Sequence, residues 1–413
     1  MRFPSVAGPC NAGGGGNLPC SHGRSRPVKP PSEKTPAATS PWGLVTVYTY
    51  SMALKTTRGD PGVPTKGRGA TSNREGRFES WTREREEDGW HQEALEERPI
   101  KTVVIEQKAK RIIARNDSPD VPFDRSINPY QGCEHGCVYC YARPSHAFLG
   151  LSPGLDFETR IFAKPNAAKL LLQELASPGY VCSPITIGGN TDPYQPAERD
   201  LRITRSVIEV LDECEHPFSI ITKNALIERD IDVFARLAKE HLVRAYVSVT
   251  NCDRELAQQL EPRASAPYRR IEAIRRLAAA GVPVGVMVAP IIPSLTDLHL
   301  EEILERAKEA GATSAGYVLI RLPHEVAPLF KDWLATHHPL KAKHVLSLVH
   351  QMRGGKDYDP RWGLRQRGTG ELAELIARRF RLACERFGLA GEHPPLDTSR
   401  FHPPRSSPQL SLL

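Results

Sequence analysis

The chain has 413 residues, of which 40% are hydrophobic and 25% charged, and its formal net charge is +7. No run of about 18 consecutive apolar residues could span a bilayer, so the composition argues against a membrane protein, and the modest positive charge permits a nucleic-acid partner without requiring one. Nine cysteines, an odd number scattered along the chain, fit poorly with a secreted disulfide framework and favour a reducing, cytoplasmic compartment.

The first residues carry no hydrophobic period and are rich in Gly, Pro and Ser, which predicts that residues 1–66 form a disordered segment. An alternative hypothesis is that Met52 is the natural start and that the preceding residues are not native. Residues 67–120 form a charged extension that either wraps the main domain or is a solvated linker.

From about residue 120, short β-branched runs alternate with helical patterns, which is typical of βα units and a parallel sheet. Each candidate strand is followed by an amphipathic pattern of helical period, and two further helices follow residue 340. The sequence therefore predicts an α/β fold, with a partial TIM-like (β/α)6 barrel at 121–330 and a C-terminal helical extension at 331–413. The six candidate strands are 125–130, 184–189, 218–223, 244–250, 283–292 and 314–322.

Three cysteines follow the first candidate strand closely, in "NPYQGCEHGCVYCYARP", with the spacing CxxxCxxC. In a parallel barrel the functional loops follow the C-terminal ends of the strands, so this position favours a role in chemistry. A structural zinc ion would need a fourth ligand, either His135 or a distant cysteine. A [4Fe-4S] cluster held by three thiolates would leave one iron open to a small molecule. Both interpretations remain open from the spacing alone.

The cysteine motif, with an aromatic residue before its third cysteine and a (β/α)6 pattern after it, resembles the radical SAM superfamily over about residues 125–330. Within it, "GCEHGCVYCYARP" and "TDPYQPAE" are most similar to the spore photolyase branch. The segments "LPHEVAPLFKDWL" and "GTGELAELIARRF" resemble an uncharacterised group called the PA0069 family. The resemblance implies a radical SAM barrel with a [4Fe-4S] cluster that cleaves S-adenosylmethionine (SAM) reductively to a 5'-deoxyadenosyl radical. It also implies an electron donor of the flavodoxin or ferredoxin type.

The same resemblance assigns roles to individual residues. Cys133, Cys137 and Cys140 would ligate the cluster, Tyr139 would lie near the adenine, and Gly188 and Gly189 would receive the SAM amino group. Asn190 stands where a glutamate is commoner, so Thr191, Asp192 or Glu198 could supply that contact instead. The residues expected to contact the carboxylate or sugar of SAM are Lys223, Ser248 and Arg263, the last with an alternative salt bridge to Glu261 or Glu255.

The substrate and the hydrogen donor are less constrained. Cys252, just past the fourth candidate strand, is the candidate hydrogen donor, although it could be inert, and Tyr194 could face the substrate. Three functions remain: radical chemistry on nucleic acid, the same chemistry on a protein or metabolite, and a non-catalytic zinc or iron-sulfur binding module. Basic segments such as "RWGLRQRG" favour the first.

Overall fold

A computed structural model describes residues 65–78, 100–391 and 394–404. The predicted disorder and the proposed start at Met52 fall outside these residues, apart from positions 65 and 66. The described parts of the charged extension, 67–78 and 100–120, contact the rest of the chain.

Ten short strands build two sheets. Seven of them form one sheet in the order β10-β9-β8-β7-β6-β3-β2, in which all neighbours are parallel except β2 and β3, and β1-β5-β4 form a small second sheet. The six predicted strands are therefore confirmed as the parallel strands of a partial barrel. Most are shorter than predicted, the first ending at Ile127, and the fourth begins one residue earlier, at Val243. The strands are β1 (Val103–Glu106), β2 (Ile113–Arg115), β3 (Arg125–Ile127), β4 (Tyr130–Gln131), β5 (Arg160–Ala163), β6 (Ile185–Ile187), β7 (Phe218–Thr222), β8 (Val243–Ser248), β9 (Val284–Ile291) and β10 (Ser314–Leu319).

Helices follow the parallel strands, as the periodicity predicts, and two more complete the C-terminal extension. They are α1 (Leu155–Thr159), α2 (Ala167–Leu175), α3 (Glu198–Leu201), α4 (Ile203–Glu213), α5 (Ile231–Lys239), α6 (Arg254–Leu260), α7 (Pro267–Ala279), α8 (Leu300–Glu309), α9 (Val326–His337), α10 (Pro339–Gln351) and α11 (Glu371–Phe387), with 3-10 turns at Arg143–Leu149, Ala225–Asp230 and Asp297–His299.

Successive side chains of a strand point alternately to the hydrophobic core and to the barrel interior. In β7, Phe218 and Ile220 are fully buried in the main core, and Phe218 contacts Phe234 of α5. Ser219 lies on the opposite face, where its hydroxyl is 2.8 Å from that of Thr186 in β6. Apolar side chains thus hold the helices on the outside, and small polar groups line part of the inside.

The open side of the barrel, between β10 and β2, is bridged by residues 361–368. The backbone N–H of Leu319 donates to Gln366 over 2.9 Å, and Gly363 donates to Asp120 over 2.5 Å. Arg365 also donates to Asp120. The basic segment noticed in the sequence therefore lies at the rim of the barrel rather than in a separate domain.

No helix in the described ranges is long and apolar enough to cross a membrane.

Candidate active site

The three cysteines lie on one irregular loop between β4 and the 3-10 turn that starts at Arg143. Cys133 and Cys137 are 7% exposed and Cys140 is half-buried, and all three are free thiols. Two backbone hydrogen bonds between residues close in sequence fold the loop. The Gly136 N–H donates to the Cys133 carbonyl (3.4 Å), and the Cys140 N–H donates to the Cys137 carbonyl (3.2 Å). Gly136 has a φ of +68°, a left-handed conformation that favours glycine. We call residues 132–140 the cysteine loop.

A buried ion pair supports the cysteine loop from beneath. Arg143 donates to the carbonyls of Cys137 (2.9 Å) and Gly136 (3.1 Å) and forms an ion pair with Glu158, both side chains being fully buried. Glu158 also accepts from the backbone N–H of Gly69 (3.0 Å) and Ala70 (2.8 Å). The five donors of an arginine suit this task, since they bind several carbonyls and a carboxylate at once.

The spacing of the sulfurs does not match a single zinc ion. Zinc–sulfur bonds of about 2.3 Å place tetrahedral ligands about 3.8 Å apart. Among the described residues, the three cysteines do not form a set whose ligand atoms all lie within 4.8 Å of one another. A larger metal centre is consistent with the wider spacing.

His135, one proposed fourth zinc ligand, already contacts other side chains through its ring nitrogens. Its Nδ1 lies 3.3 Å from Asp192, its Nε2 lies 3.1 Å from the Asn224 amide nitrogen, and the residue is 1% exposed. Both ring nitrogens therefore have protein partners, so the structure gives this histidine a supporting role. The expectation that it could complete a zinc site is not met by this geometry.

The surroundings of the three cysteines disfavour the thiolate form unless a cation lies nearby. Burial, followed by the charges of Asp192 and the neighbouring cysteines, raises the pKa of Cys133 well above its ordinary value. Burial also raises the pKa of Cys137 and Cys140. Three thiolates on one loop in these surroundings would need positive charge, which iron ions provide when they bind thiolates. The donor set therefore fits an iron-sulfur cluster.

Beside the cysteine loop, Glu261 is the centre of a buried polar network. It accepts from the Tyr139 hydroxyl and from Thr250 (2.5 Å), and it forms an ion pair with Arg270. The Lys223 Nζ lies 3.8 Å from the same carboxylate. Burial alone would raise the pKa of Glu261, but Arg270 and Lys223 lower it to about 2, so the group is an anion.

Two residues assigned to SAM, Tyr139 and Lys223, belong to this network. Lys223 donates to the Ala289 carbonyl over 3.0 Å, and its Nζ is 6.0 Å from the centre of the Tyr139 ring. An ammonium group has three donors, so Lys223 retains capacity for an anionic ligand. Ser248 lies next to the network, since its carbonyl accepts from Arg270 over 3.1 Å.

The loop after β6 carries the predicted glycines. Gly188 has a φ of +94°, and a Cβ there would lie 2.7 Å from the Ile221 carbonyl oxygen, so only glycine fits. At Gly189, an added Cβ would be in ordinary van der Waals contact, 3.6 Å from the nearest atom, so this position does not require glycine on steric grounds. The N–H groups of Asn190 (2.8 Å) and Thr191 (3.3 Å) both donate to the Asn128 side chain.

The acidic residues offered as substitutes for the missing glutamate are occupied. Asp192 accepts from the Thr222 hydroxyl (2.6 Å) and the Lys223 N–H (2.7 Å) in addition to its contact with His135. Glu198 is fully buried and binds Arg229 over 2.7 Å. Neither carboxylate is free to receive an amino group, so this expectation is corrected.

Two further expectations differ from the geometry. Tyr194 is fully buried and its hydroxyl donates to Asp230, at the end of the 3-10 turn before α5, over 2.9 Å, so it does not face a substrate. Arg263 forms a salt bridge with Glu134 in the cysteine loop, at 3.2 Å, and with neither of the two glutamates expected from sequence. Arg263 therefore lies near the cysteines, while the partner inferred for it was wrong.

Cys252 lies on the loop after β8, beside His299 and Glu302. Burial, followed by the charge of Glu302, raises the pKa of the Cys252 thiol to about 12, so the thiol carries its proton at neutral pH. A role as hydrogen donor stays a prediction.

An unpaired cation stands at the mouth of the barrel. The Arg321 guanidinium, after β10, lies 4.3 Å from the centre of the Tyr141 ring, and the Tyr141 hydroxyl donates to the Gly189 carbonyl. Among the described residues, Arg321 has no carboxylate within salt-bridge distance. The pair thus connects the ends of β10 and β6 across the mouth, with positive charge available for an anion.

Sequence reasoning missed the residues that support the cysteines. Arg143 and Glu158 were not singled out, and neither was Gln195, which accepts from the Glu134 N–H over 3.0 Å. Glu261 was considered only as a salt-bridge partner of Arg263. Arg143 follows the last cysteine by three positions, which was the one local signal; the other contacts join residues far apart in sequence.

The chain is similar to known proteins in sequence and in fold. A family model described as the Radical SAM superfamily matches residues 127–307. The uncharacterised protein Rv2578c of Mycobacterium tuberculosis is 36% identical over 277 residues, which cover 67% of this chain and 78% of the relative. The uncharacterised protein MJ0683 of Methanocaldococcus jannaschii is 28% identical over 199 residues, which cover 48% of this chain and 71% of that protein.

Among solved structures, a tyrosine-to-phenylalanine mutant of spore photoproduct lyase aligns with a TM-score of 0.51 at 17% identity, covering 70% of this chain and 80% of the lyase. A cysteine-to-serine mutant of the same enzyme gives a TM-score of 0.50 at 16% identity, covering 69% and 79%. At these identities the likeness concerns the fold.

Proposed function

Because the chain belongs to the radical SAM superfamily, we propose that it is an enzyme that holds a [4Fe-4S] cluster on Cys133, Cys137 and Cys140 and binds SAM beside it. The sequence-based assignment to the superfamily is thereby confirmed, and the narrower placement in the PA0069 family stays a prediction. The observation that carries the proposal is the set of three free thiols on one loop, two buried and one half-buried, next to the Glu261 network that contains the Lys223 ammonium group.

The residues present have separate tasks in this proposal. When bound, the reduced cluster supplies the electron that cleaves a carbon–sulfur bond of SAM to methionine and a 5'-deoxyadenosyl radical. Lys223 offers an ammonium group to the SAM carboxylate, and the backbone of the bend at Gly188 and Gly189 is assigned to the amino end of the ligand. Glu261 holds the Tyr139 hydroxyl, which fixes the ring beside the cysteines.

The assay for this proposal is reductive SAM cleavage. Protein reconstituted anaerobically with iron and sulfide should be brown and, with dithionite and SAM, should form 5'-deoxyadenosine. A colourless protein that retains zinc and forms no 5'-deoxyadenosine would instead support the non-catalytic binding module. The sulfur spacing and the committed His135 weigh against that alternative.

Lys223→Met is expected to raise the KM for SAM by roughly 10- to 100-fold, because a hydrogen bond to a charged group contributes about 1.5–3 kcal/mol. Cluster iron content should not change, since the cysteine loop keeps its own contacts. Lys223→Arg should restore part of the affinity, and Lys239→Met, on the exposed face of α5, is the matched control. An unchanged KM in Lys223→Met would contradict the assigned contact.

For the substrate class, we favour a single-stranded nucleic acid over a protein or metabolite. Arg321 lies over the exposed Tyr141 ring, and Trp362 on the bridging segment is 56% exposed, so the rim of the barrel offers a cation together with aromatic surfaces. Arg367 adds a guanidinium 4.2 Å from the Tyr317 ring. Cationic grooves with aromatic platforms are typical of single-strand binding.

This choice predicts salt-sensitive binding of an oligonucleotide to the full-length holoprotein. Each phosphate contact that is lost should reduce the slope of log K against log salt by about 0.7. We therefore expect that reduction in Arg321→Met but not in Arg275→Met, whose arginine pairs with Glu272 on α7. Binding without salt dependence, or equal slopes in both variants, would favour a protein or metabolite substrate.

A further inference from the structure

A cysteine, a histidine and a glutamate meet at the rim of the barrel, outside the cysteine loop. Cys252 follows β8, His299 ends the 3-10 turn after β9, and Glu302 lies in the first turn of α8. One ligand atom from each lies within 4.8 Å of the other two, and the His299 Nδ1 is 3.4 Å from the Glu302 Oε2. Within the described ranges, no other trio of His, Cys, Asp or Glu side chains has this spacing.

The trio contains three different kinds of zinc ligand. With zinc–ligand bonds of about 2.0–2.3 Å, neighbouring ligands of a tetrahedral ion lie about 3.3–3.8 Å apart. The distance from His299 to Glu302 falls in that range. A thiolate with an imidazole favours zinc over the hard cations magnesium and calcium, which prefer oxygen ligands. Three protein ligands leave a fourth position for water.

A neighbouring arginine orients the glutamate. Arg306 lies 2.7 Å from the Glu302 Oε1, and this contact leaves the other oxygen facing His299. Contacts of this kind commonly orient the ligands of metal sites. The His299 and Glu302 side chains are 24% and 40% exposed, so an ion can reach them from solvent.

The two loops that carry the trio also contain buried polar atoms without a protein partner. Asn251, next to Cys252 in sequence, is 1% exposed, and neither atom of its side-chain amide has a hydrogen-bond partner. The Asp297 Oδ1, in the turn that ends at His299, is likewise buried and unpartnered. Because buried polar groups normally have partners, these atoms indicate that each of the two loops binds water or another polar group that completes their hydrogen bonds.

We propose that Cys252, His299 and Glu302 form a second metal site, which binds a zinc ion with one position open to water. Binding breaks the S–H bond of Cys252, forms a sulfur–zinc bond and releases the proton to solvent, with no change in oxidation state. The zinc-bound cysteine has no S–H hydrogen, so this proposal replaces the role of Cys252 as hydrogen donor. The ion joins the loop after β8, which also carries Thr250 of the Glu261 network, to the turn before α8. The site rests on its own three residues and is independent of SAM cleavage.

The test measures zinc and iron by mass spectrometry in the anaerobically prepared full-length holoprotein, after zinc addition and dialysis. We expect about one zinc ion per chain in addition to the cluster iron. Cys252→Ser and His299→Ala should lose that zinc and keep the iron, and Glu302→Gln should bind zinc at least tenfold more weakly. Cys182→Ser, which changes another half-buried thiol, is the matched control and should keep both metals.

Thiol mapping adds a readout that does not depend on activity. Bound zinc should slow the alkylation of Cys252 by iodoacetamide, and removal of zinc by a chelator should restore it. Equal zinc content in all variants, or zinc that disappears only when Cys133 is replaced, would overturn the second site. Absence of 5'-deoxyadenosine in a protein that retains this zinc would contradict the proposed function and leave the zinc site intact.

Discussion

Cys137→Ala is expected to abolish both the cluster and the formation of 5'-deoxyadenosine. Two remaining thiolates cannot occupy three iron positions, so iron content should fall to background after reconstitution, together with the brown colour. Iron and sulfide analysis, paramagnetic resonance of the reduced protein and chromatographic detection of 5'-deoxyadenosine measure the loss. Full activity in this variant would mean that the ligands have been assigned wrongly.

A matched variant separates loss of the cluster from loss of the fold. Cys214→Ala removes a fully buried thiol from the main core, away from the cysteine loop, and should keep iron and product. Both substitutions should lower the free energy of unfolding by roughly 0.5–3 kcal/mol, the usual range for single changes. Thermal unfolding of the two proteins therefore shows whether Cys137→Ala remains folded.

Glu261→Gln is expected to lower the free energy of unfolding by about 3–5 kcal/mol, because Arg270 would become a buried cation without its counterion. The variant should also weaken SAM binding, since Tyr139 and Lys223 lose the carboxylate that positions them. Denaturant unfolding measures the first effect and the KM for SAM the second. Glu255→Gln, on the exposed face of α6, is the control, and a loss below 1 kcal/mol in Glu261→Gln would contradict the role of the network.

The Glu261 carboxyl should also make the free energy of unfolding depend on pH, with stability lost as the pH falls. Its pKa falls from 4.5 to about 2 on folding, so the folded state binds its proton less readily than the unfolded state. The stabilisation is complete above pH 4.5 and is lost as the pH falls towards 2. Glu261→Gln should therefore flatten the stability curve of the protein in that interval.

The barrel could be predicted from sequence because its elements have clear periods. The period-2 alternation of Phe218–Thr222 and the helical pattern of Ala167–Leu175 each reflect one buried face, which burial in the structure confirms. The small sheet was missed, since β4 has two residues and such a strand has no detectable period. Its pairing partner, β5, lies about 30 residues further along the chain.

The cysteine loop could be predicted because its ligands are adjacent in sequence, whereas the network that holds it could not. Glu261 lies 122 residues from Tyr139, and no local pattern joins them. The carboxylates of Asp192 and Glu198 were expected to be available, yet each is occupied by partners that only the fold brings near. Polar residues at strand ends therefore indicate the location of the site more reliably than their individual roles.

The cysteine loop depends on contacts from residues that lie upstream of the barrel in the sequence. The family model begins at residue 127, but Glu158 takes two of its hydrogen bonds from residues 69 and 70. A Cβ added at Gly69 would lie 1.8 Å from the Gly136 carbonyl oxygen, so the upstream segment presses directly on the loop. A chain cut at the family boundary would leave this carboxylate short of donors under the cysteines. We therefore expect that the barrel needs the segment upstream of it to hold the cysteine loop in place, and that this segment must be retained with it.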